Sequence, residues 1–406
     1  MRIRKKYLFY VLAITSAMIG AVVTTIDTFI SVMYVKDPWM LCLSMFVAGL
    51  LITFFICLIL SIPIRGKSIG SKFDPSFKKI RLLRKEELKY HLIAGIGNAI
   101  ATISYFYIIS LYRDPSTTLA FFQVVILYLL LIESIAEKNA PTMAEAQSSI
   151  MVAFGAVIAS LSLKGEINLI GLFIVFIILN PAWVVFSIYQ RKLKIMRVNS
   201  SYNDAINIRM WNLVFTTIFT SLFVFIIRRE HIFLFFQAFK HIEWLFLSMG
   251  VTFFSYILYI RALGIGKASV TQAVRASIII FSIPFSIILS KIIPITIFEA
   301  PLHALIKTMG VILVIFGVIS FALTEVKAYI FINISPGYSI KEIMKAIWKI
   351  KGIVRIDAIA GSYDIIAKAR IRTLGKGYER IIRTLENIKG IENFKWQSIL
   401  KEWEEL

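Results

Sequence analysis

Residues 107–117 read YIISLYRDPST and residues 259–269 read YIRALGIGKAS. Both fit Tyr-Ile-x-[Ser/Ala]-Leu, then five positions ending in [Ser/Ala], then [Ser/Thr]. Each stretch joins two apolar runs that stand third and fourth in a set of five. Farther on, FGAVIAS at 154–160 is echoed by FGVIS at 316–320, in the fifth run of each set. The matches keep the same order in both halves, which is how an internal duplication reads. A unit with an odd number of membrane crossings, repeated in tandem, inserts its second copy upside down. Inverted repeats of this kind are a construction of secondary transporters, because two related halves exchange inward- and outward-open shapes around a central site. The alternative is a duplicated bundle with no transport role.

The rest of the chain fits a membrane setting. Of its 406 residues, 58% are hydrophobic and 17% charged, and the mean hydropathy is +0.78. Soluble domains hold fewer apolar and more charged residues. About 20 apolar residues cross the hydrocarbon layer as a helix, and ten segments meet that requirement: 7–34, 39–62, 90–112, 115–136, 142–163, 167–190, 203–227, 242–262, 268–293 and 302–324. The N-terminal MRIRKK and the run after it read as an uncleaved first helix, since the run is too long for a signal peptide.

The formal charge of +21 resides in loops rather than in patches interleaved with aromatic residues, which argues against nucleic acid. Basic residues crowd the N-terminus, the 63–89 loop and the 191–197 segment, while the alternate loops hold Lys36, Arg113 and Lys164 almost alone. By the positive-inside rule the N-terminus is cytoplasmic, and ten crossings return the C-terminus to the cytoplasm. Only the 228–241 loop, with Arg228, Arg229 and Lys240, departs from this pattern. The 63–89 loop reads as a solvated topogenic loop, or else as an amphipathic surface helix on anionic lipid. Cys42 and Cys57 share one apolar run, and the four histidines show no ligand spacing, so no metal or cofactor is expected. No phosphate loop, nucleophile elbow or zinc-protease helix appears, and an enzyme is not expected.

Ionisable groups at mid-membrane face a bundle interior or a wet cavity. Arg275, in QAVRASIII, lies about two turns into the ninth span and suits a substrate carboxylate; the alternative is a structural cation bonded to neighbouring carbonyls. The repeat offset relates it to Gln123 in the fourth span. Asp27 lies in the outer part of the first helix, as a coupling-proton carrier, a partner of Arg275, or a cap on a kink. Asn180 and Pro181 mark a broken sixth helix, since proline removes a backbone donor, and Trp183 is placed to wall a cavity. Glu133 and Arg209 stand near predicted helix ends and read as snorkelling. Glu299, His303 and Lys307 form an interfacial charge ladder or line an external vestibule.

After Thr324 the composition changes. KAYIFINI (327–334) reads as a strand, and Ile340, Ile343, Met344, Ile347 and Ile350 share one helical face. Strands over 353–360 and 363–372 form a hairpin across Gly361-Ser362, a second helix follows through Tyr378, Ile381, Ile382 and Leu385, and 391–400 is the last strand. IKGI occurs at 350–353 and again at 388–391, each time ending a helix before a strand. The order βαββαβ is an α+β ferredoxin-like arrangement.

Two resemblances follow. From the Tyr-x-x-[Ser/Ala]-Leu junctions, Gly310 and Gly317 in the last span, and WVVFSIYQRKL (183–193), residues 7–324 resemble the EamA-type drug/metabolite transporter superfamily: ten helices in two inverted five-helix repeats, 1–163 and 164–325. The chain departs from that family in having Ile19-Gly20 where a Trp-Gly pair is common, and in the IIPITIFEAP stretch at 292–301. From AYIFINISPG and GSYDIIAKARI, the region 326–406 resembles the Lrp/AsnC ligand-binding (RAM) domain. That resemblance implies an amino-acid effector near Gly361, Tyr363 and Asp364, and pairing of subunits through the tail; the bare chemistry of the three residues is that of a tight turn. That family joins the domain to a DNA-binding helix-turn-helix, which is absent from this sequence. Together these imply a prokaryotic multi-pass cell-membrane protein that transports a small polar metabolite, an amino acid by preference and outward by preference, under a cytoplasmic sensing domain. The alternative function is a membrane-anchored small-molecule receptor whose bundle does not transport.

Overall fold

The computed structural model describes residues 5–64, 66–137, 143–159, 168–198, 201–292, 301–323, 325–350, 352–372 and 377–398. The chain divides into two compact units, Met1–Phe321 and Ala322–Leu406.

The first unit is helical. Its elements are α1 (Lys5–Met33), α2 (Pro38–Leu60), α3 (Lys85–Tyr112), α4 (Pro115–Phe122), α5 (Val125–Glu137), α6 (Met143–Ala159), α7 (Leu169–Phe173), a π-helical stretch Ile174–Leu179, α8 (Asn180–Ile195), α9 (Ala205–Ile227), α10 (Phe233–Ala238), α11 (Ile242–Leu263), α12 (Ala268–Arg275), α13 (Ile278–Ile292) and α14 (Pro301–Leu323). Among the described residues, eight helical segments are long and apolar enough to cross a membrane: Leu8–Met33, Pro38–Leu60, Lys85–Tyr112, Pro115–Ile132, Leu169–Ile195, Ala205–Ile227, Phe233–Leu263 and Ala268–Ile292. These fit a multi-pass membrane protein. The fifth and tenth expected spans coincide with α6 and α14, whose described residues do not reach the same measure. Glu299 lies outside the described residues, as do the side chains of Glu133, His303 and Lys307.

Several helices start where the chain supplies a cap. Asp37 accepts from the amides of Trp39 and Met40 at 2.9 and 3.0 Å ahead of Pro38. Asp114 does the same for Ser116 and Thr117 at 3.0 and 3.1 Å ahead of Pro115. A carboxylate serving the first free amides, with proline at a position that needs no donor, is a strong start signal.

The polarity of the unit is inverted relative to a soluble protein. Phe55, Ile226, Ile135 and Phe316 project outward, whereas Asp27, Asn98, Gln123, Arg209 and Gln272 are buried. Apolar surface outside and polar groups inside is what a hydrocarbon solvent selects. Arg209 corrects the reading from sequence. It does not snorkel but is 2% exposed, because α9 begins at Ala205 and is already covered there by its neighbours.

The helices pack in matched pairs. Helix α1 lies on α11 and α13, and α3 lies on α8 and α9; α2 contacts α9 and α11. The fourth and ninth expected spans are both interrupted, and they cross head to tail: α4 packs on α13, and α12 on α5. Gly155 of α6 meets the backbone of Gly310 and Val314 in α14, while Gly317 meets Ser148 and Val152. Ser148, Val152 and Gly155 correspond to Gly310, Val314 and Gly317 by one constant offset, so the two helices present the same glycine face to each other in opposite directions. A Cβ at Gly155 would stand 2.7 Å from the Gly310 carbonyl oxygen. Small residues allow such close approach, which drives helix association where no hydrophobic effect operates.

The 63–84 connection is neither a free solvated loop nor a surface helix. It forms a short hairpin, Pro63–Ile64 with Lys67–Ser68, and a 3₁₀ turn, Ile69–Lys72, with Phe77 and Asp74 buried. Its charges find specific partners. Lys194 Nζ donates to Asp74 Oδ2 at 2.6 Å and to the Asn203 carbonyl at 2.6 Å. Arg81 Nη1 and Nη2 donate to Glu87 at 2.9 and 2.5 Å, Asn203 Nδ2 donates to Glu87 Oε1 at 2.8 Å, and Arg261 donates to the Phe73 carbonyl. Nearby, Asp204 accepts from the Asn207 amide at 2.7 Å at the start of α9.

The second unit is a four-stranded antiparallel sheet with two helices: β1 (Glu325–Ile334), α15 (Ile340–Trp348), β2 (Ile353–Ala358), β3 (Ile365–Arg372), α16 (Gly377–Glu386) and β4 (Ile391–Ser398). Strand order is β2-β3-β1-β4, the ferredoxin-like order expected from βαββαβ. Ile343 and Ile347 of α15, with Ile381 and Leu385 of α16, cover Ile330 and Ile365 of the sheet. The glycines of the two IKGI phrases, Gly352 and Gly390, have φ of +110° and +96°, which explains why glycine ends both helices.

Two outcomes follow. Gly155→Ala is expected to destabilise the protein by about 1–3 kcal/mol through overpacking, read as a lower Tm in detergent, while Gly250→Ala, whose nearest neighbour lies at 3.8 Å, leaves Tm unchanged. Asp74→Ala strands the Lys194 ammonium and is expected to cost about 3–5 kcal/mol, whereas Asp74→Leu combined with Lys194→Met recovers part of that loss in a double-mutant cycle.

Candidate functional site

Three interrupted helices meet at one place. At the end of α4 the backbone tightens: Gln123 N donates to the Ala120 carbonyl and Val124 N to the Phe121 carbonyl. The Leu119 carbonyl, which an undisturbed helix would pair with Gln123 N, instead accepts from Gln123 Nε2 at 2.8 Å. At the end of α12 the Ser277 amide turns to the Val274 carbonyl, and the Ile279 amide to the Ala276 carbonyl. In the third case Pro181 has no N–H to give. The π-helical stretch Ile174–Leu179 precedes it, the Phe176 carbonyl accepts from Tyr128 Oη at 2.6 Å, and the Val175 carbonyl accepts from Asn180 Nδ2 at 2.8 Å. At the first and third of these breaks a nearby side chain serves a carbonyl beside the break, as hydrocarbon requires.

The space left between these breaks, α1, α3, α9 and α11 is a cavity of about 110 Å³. Such a volume holds several waters or one small solute. Asp27, Gln123, Trp183 and Arg275, four residues singled out from sequence, all line it. Asn180 stands behind the wall, donating to the Phe121 and Val175 carbonyls and bracing α8 against α4.

The charged groups are held apart. Asp27 accepts from Tyr105 Oη at 2.9 Å and Ser248 Oγ at 2.5 Å. Arg275 lies over the Tyr259 ring, 4.7 Å from its centroid; Tyr259 is fixed by Gln272 Nε2 at 2.7 Å and donates to Ser187 Oγ at 2.8 Å. Arg209 lies over Tyr256, one helical turn earlier on α11, at 4.1 Å. Cation–π contacts of this kind orient a guanidinium without neutralising it. Among the described residues no ion pair involves Asp27, Arg209 or Arg275. Nε and Nη1 of Arg209, and Nε of Arg275, are buried with no hydrogen-bond partner among the described residues. Sequence reasoning missed Arg209. Its nearness to a predicted helix end concealed its burial; the signal that could have found it was a lone cation inside the apolar run 205–227.

In the second unit Gly361, Tyr363 and Asp364 form the β2–β3 turn. Asp364 is a clamp: its Oδ2 accepts from Ile334 N at 2.7 Å, its own amide donates to the Ile332 carbonyl at 3.0 Å, and its carbonyl accepts from Ile359 N at 3.0 Å. The Tyr363 ring rests on Phe331 at 5.2 Å. The turn is thus tied to the end of β1. Residues 327–405 match the family model described as the Lrp/AsnC ligand binding domain.

The C-terminal unit carries an Lrp/AsnC ligand-binding domain.

No drug/metabolite transporter family model matches the helical unit, and no curated protein matches the chain. A solved structure titled "Crystal structure of protein" aligns with 77% of this chain and 94% of its own at 13% identity, with a TM-score of 0.47. Within the Lrp/AsnC domain, Asp364→Ala removes the acceptor of the Ile334 amide. Hydrogen exchange at Ile334 is expected to accelerate about tenfold or more, since a hydrogen bond to a charged acceptor contributes about 1.5–3 kcal/mol.

Proposed function

We propose that the helical unit is a secondary transporter of a small polar metabolite with a carboxylate, an amino acid by preference, and that the Lrp/AsnC domain senses amino acid in the cytoplasm. In this reading the bundle crosses the membrane ten times as two inverted repeats, 1–163 and 164–325, and residues 326–406 form the sensing domain. Both termini face the cytoplasm of a prokaryotic cell, and export relieves an excess reported by the tail.

The observation that carries the reading is a cavity lined by Asp27, Arg209 and Arg275 at the breaks of two corresponding helices. Discontinuous helices in related positions of two halves point to a transport site. Gln123 and Arg275 sit at those breaks and face the same cavity. The packing pattern supports an inverted relation: α1 on α11 mirrors α8 on α3, α2 on α11 mirrors α9 on α3, and the pairs α4–α5 with α12–α13 and α6 with α14 cross antiparallel on matched residues. The unit moves its ligand rather than transforming it. In the tail, the reading assigns effector contact to Gly361, Tyr363 and Asp364 and pairs two chains through the sheet domain. The match to a ligand-binding family favours the sensing role.

Flux of labelled amino acids through proteoliposomes holding the full chain tests the proposal. Uptake or efflux above that of empty vesicles is expected, with at least a tenfold loss in Arg275→Ala. Absence of flux across a broad amino-acid panel, together with amino-acid binding by the tail, would instead make the protein a membrane-anchored receptor.

A further inference from the structure

We infer that the cavity selects an acidic amino acid, a solute bearing two carboxylates and one ammonium; this rests on the transport reading and narrows it to a substrate class. The cavity is lined by two guanidinium groups, Arg209 and Arg275, and by one carboxylate, Asp27. With all three ionised, the lining carries one net positive charge, and an acidic amino acid carries one net negative charge. The match extends to the individual groups. Arg209 is 2% exposed, with Nε and Nη1 unpaired among the described residues, and Arg275 has Nε unpaired.

Such donors in a low-dielectric interior are poorly satisfied by a neutral solute, and a carboxylate supplies both the charge and the bidentate acceptor geometry that a guanidinium fits. Stacking on Tyr256 and Tyr259, one turn apart on α11, holds the two cations in separate places, so they suit two anionic groups on one ligand better than one shared group. Asp27 lies on a different helix and is held by Tyr105 and Ser248. It is not paired with either arginine and is available to an ammonium. The cavity's roughly 110 Å³ admits a single amino acid rather than a peptide.

A neutral amino acid leaves one arginine without a counter-charge, and a dicarboxylate without an ammonium leaves Asp27 facing no cation. Arg209 is therefore a specificity-determining residue. Arg275 receives one carboxylate, Arg209 the other, and Asp27 the amine.

The test uses the full chain in proteoliposomes, with labelled glutamate, aspartate, glutamine, leucine and succinate, and calorimetry of the same solutes on the detergent-solubilised protein. Glutamate or aspartate is expected to bind and move at least tenfold better than glutamine or leucine. Arg209→Gln is expected to weaken glutamate binding at least tenfold more than glutamine binding, so that the preference is lost, and Arg209→Lys to retain part of it. Asp27→Asn is expected to shift preference from glutamate toward succinate. Wild-type flux of glutamine or leucine equal to that of glutamate overturns the inference and leaves the transporter reading standing. Inorganic phosphate competing as strongly as glutamate overturns it too, by reducing the site to a generic anion site. Flux of no solute overturns the transporter reading, and calorimetry of wild type against Arg209→Gln then judges the site apart from the tail: tenfold selectivity for glutamate over glutamine that Arg209→Gln removes supports it, and selectivity that is absent or survives Arg209→Gln removes it.

Discussion

A helix that breaks inside hydrocarbon must find a local partner for every backbone group it releases. The helical unit meets that constraint with side chains at two of its three breaks, after α4 and at Pro181. Gln123 answers for the Leu119 carbonyl, Tyr128 for the Phe176 carbonyl, and Asn180 for the Val175 carbonyl. Because each repair is made by a side chain from the same or an adjacent helix, the breaks draw together. The cavity is what remains between them. Its charged lining follows from the same economy: once water or solute occupies the space, guanidinium and carboxylate groups become tolerable there that would be excluded from the lipid-facing side.

The two units solve different solvation problems. The helical unit turns Phe55, Ile226 and Phe316 outward and keeps its hydrogen-bonding groups within. The Lrp/AsnC unit does the reverse, with isoleucines from α15, α16 and the sheet enclosed. Among its described turns, Gly337, Gly352, Gly361 and Gly390 take positive φ, and the 361–364 turn is joined to the central strand β1 through Asp364.

Much of this was legible in the sequence. Apolar run length gave most helices within a few residues, and alternation with glycine punctuation gave the whole order of the C-terminal sheet. Asp27 and Arg275 stood out as ionisable groups in apolar runs, Gln123 through the repeat offset and Trp183 beside the break at Pro181; the four line one cavity. Asn180 was marked by the same break but serves the backbone, because a side-chain amide beside proline has carbonyls close at hand. The 63–84 connection was unreadable. Its lysines and arginines resemble a solvated topogenic loop, and nothing local reveals that Asp74 meets Lys194 and that Arg81 and Glu87 meet Asn203, more than a hundred residues away. Arg209 was hidden for a related reason: burial near a helix end depends on what the neighbouring segments cover.

The junction around Asp74 has a bearing on motion. Asp74 Oδ2 accepts at once from Lys194 Nζ and from the Ala205 amide, so one oxygen fastens the end of α8 to the start of α9 beneath a connecting segment. Drawing any one of these apart bares an ammonium, a carboxylate and a helix-starting amide together. Solvent must then reach all three together, so parting α8 from α9 at this face carries the cost of baring every one of these groups at once.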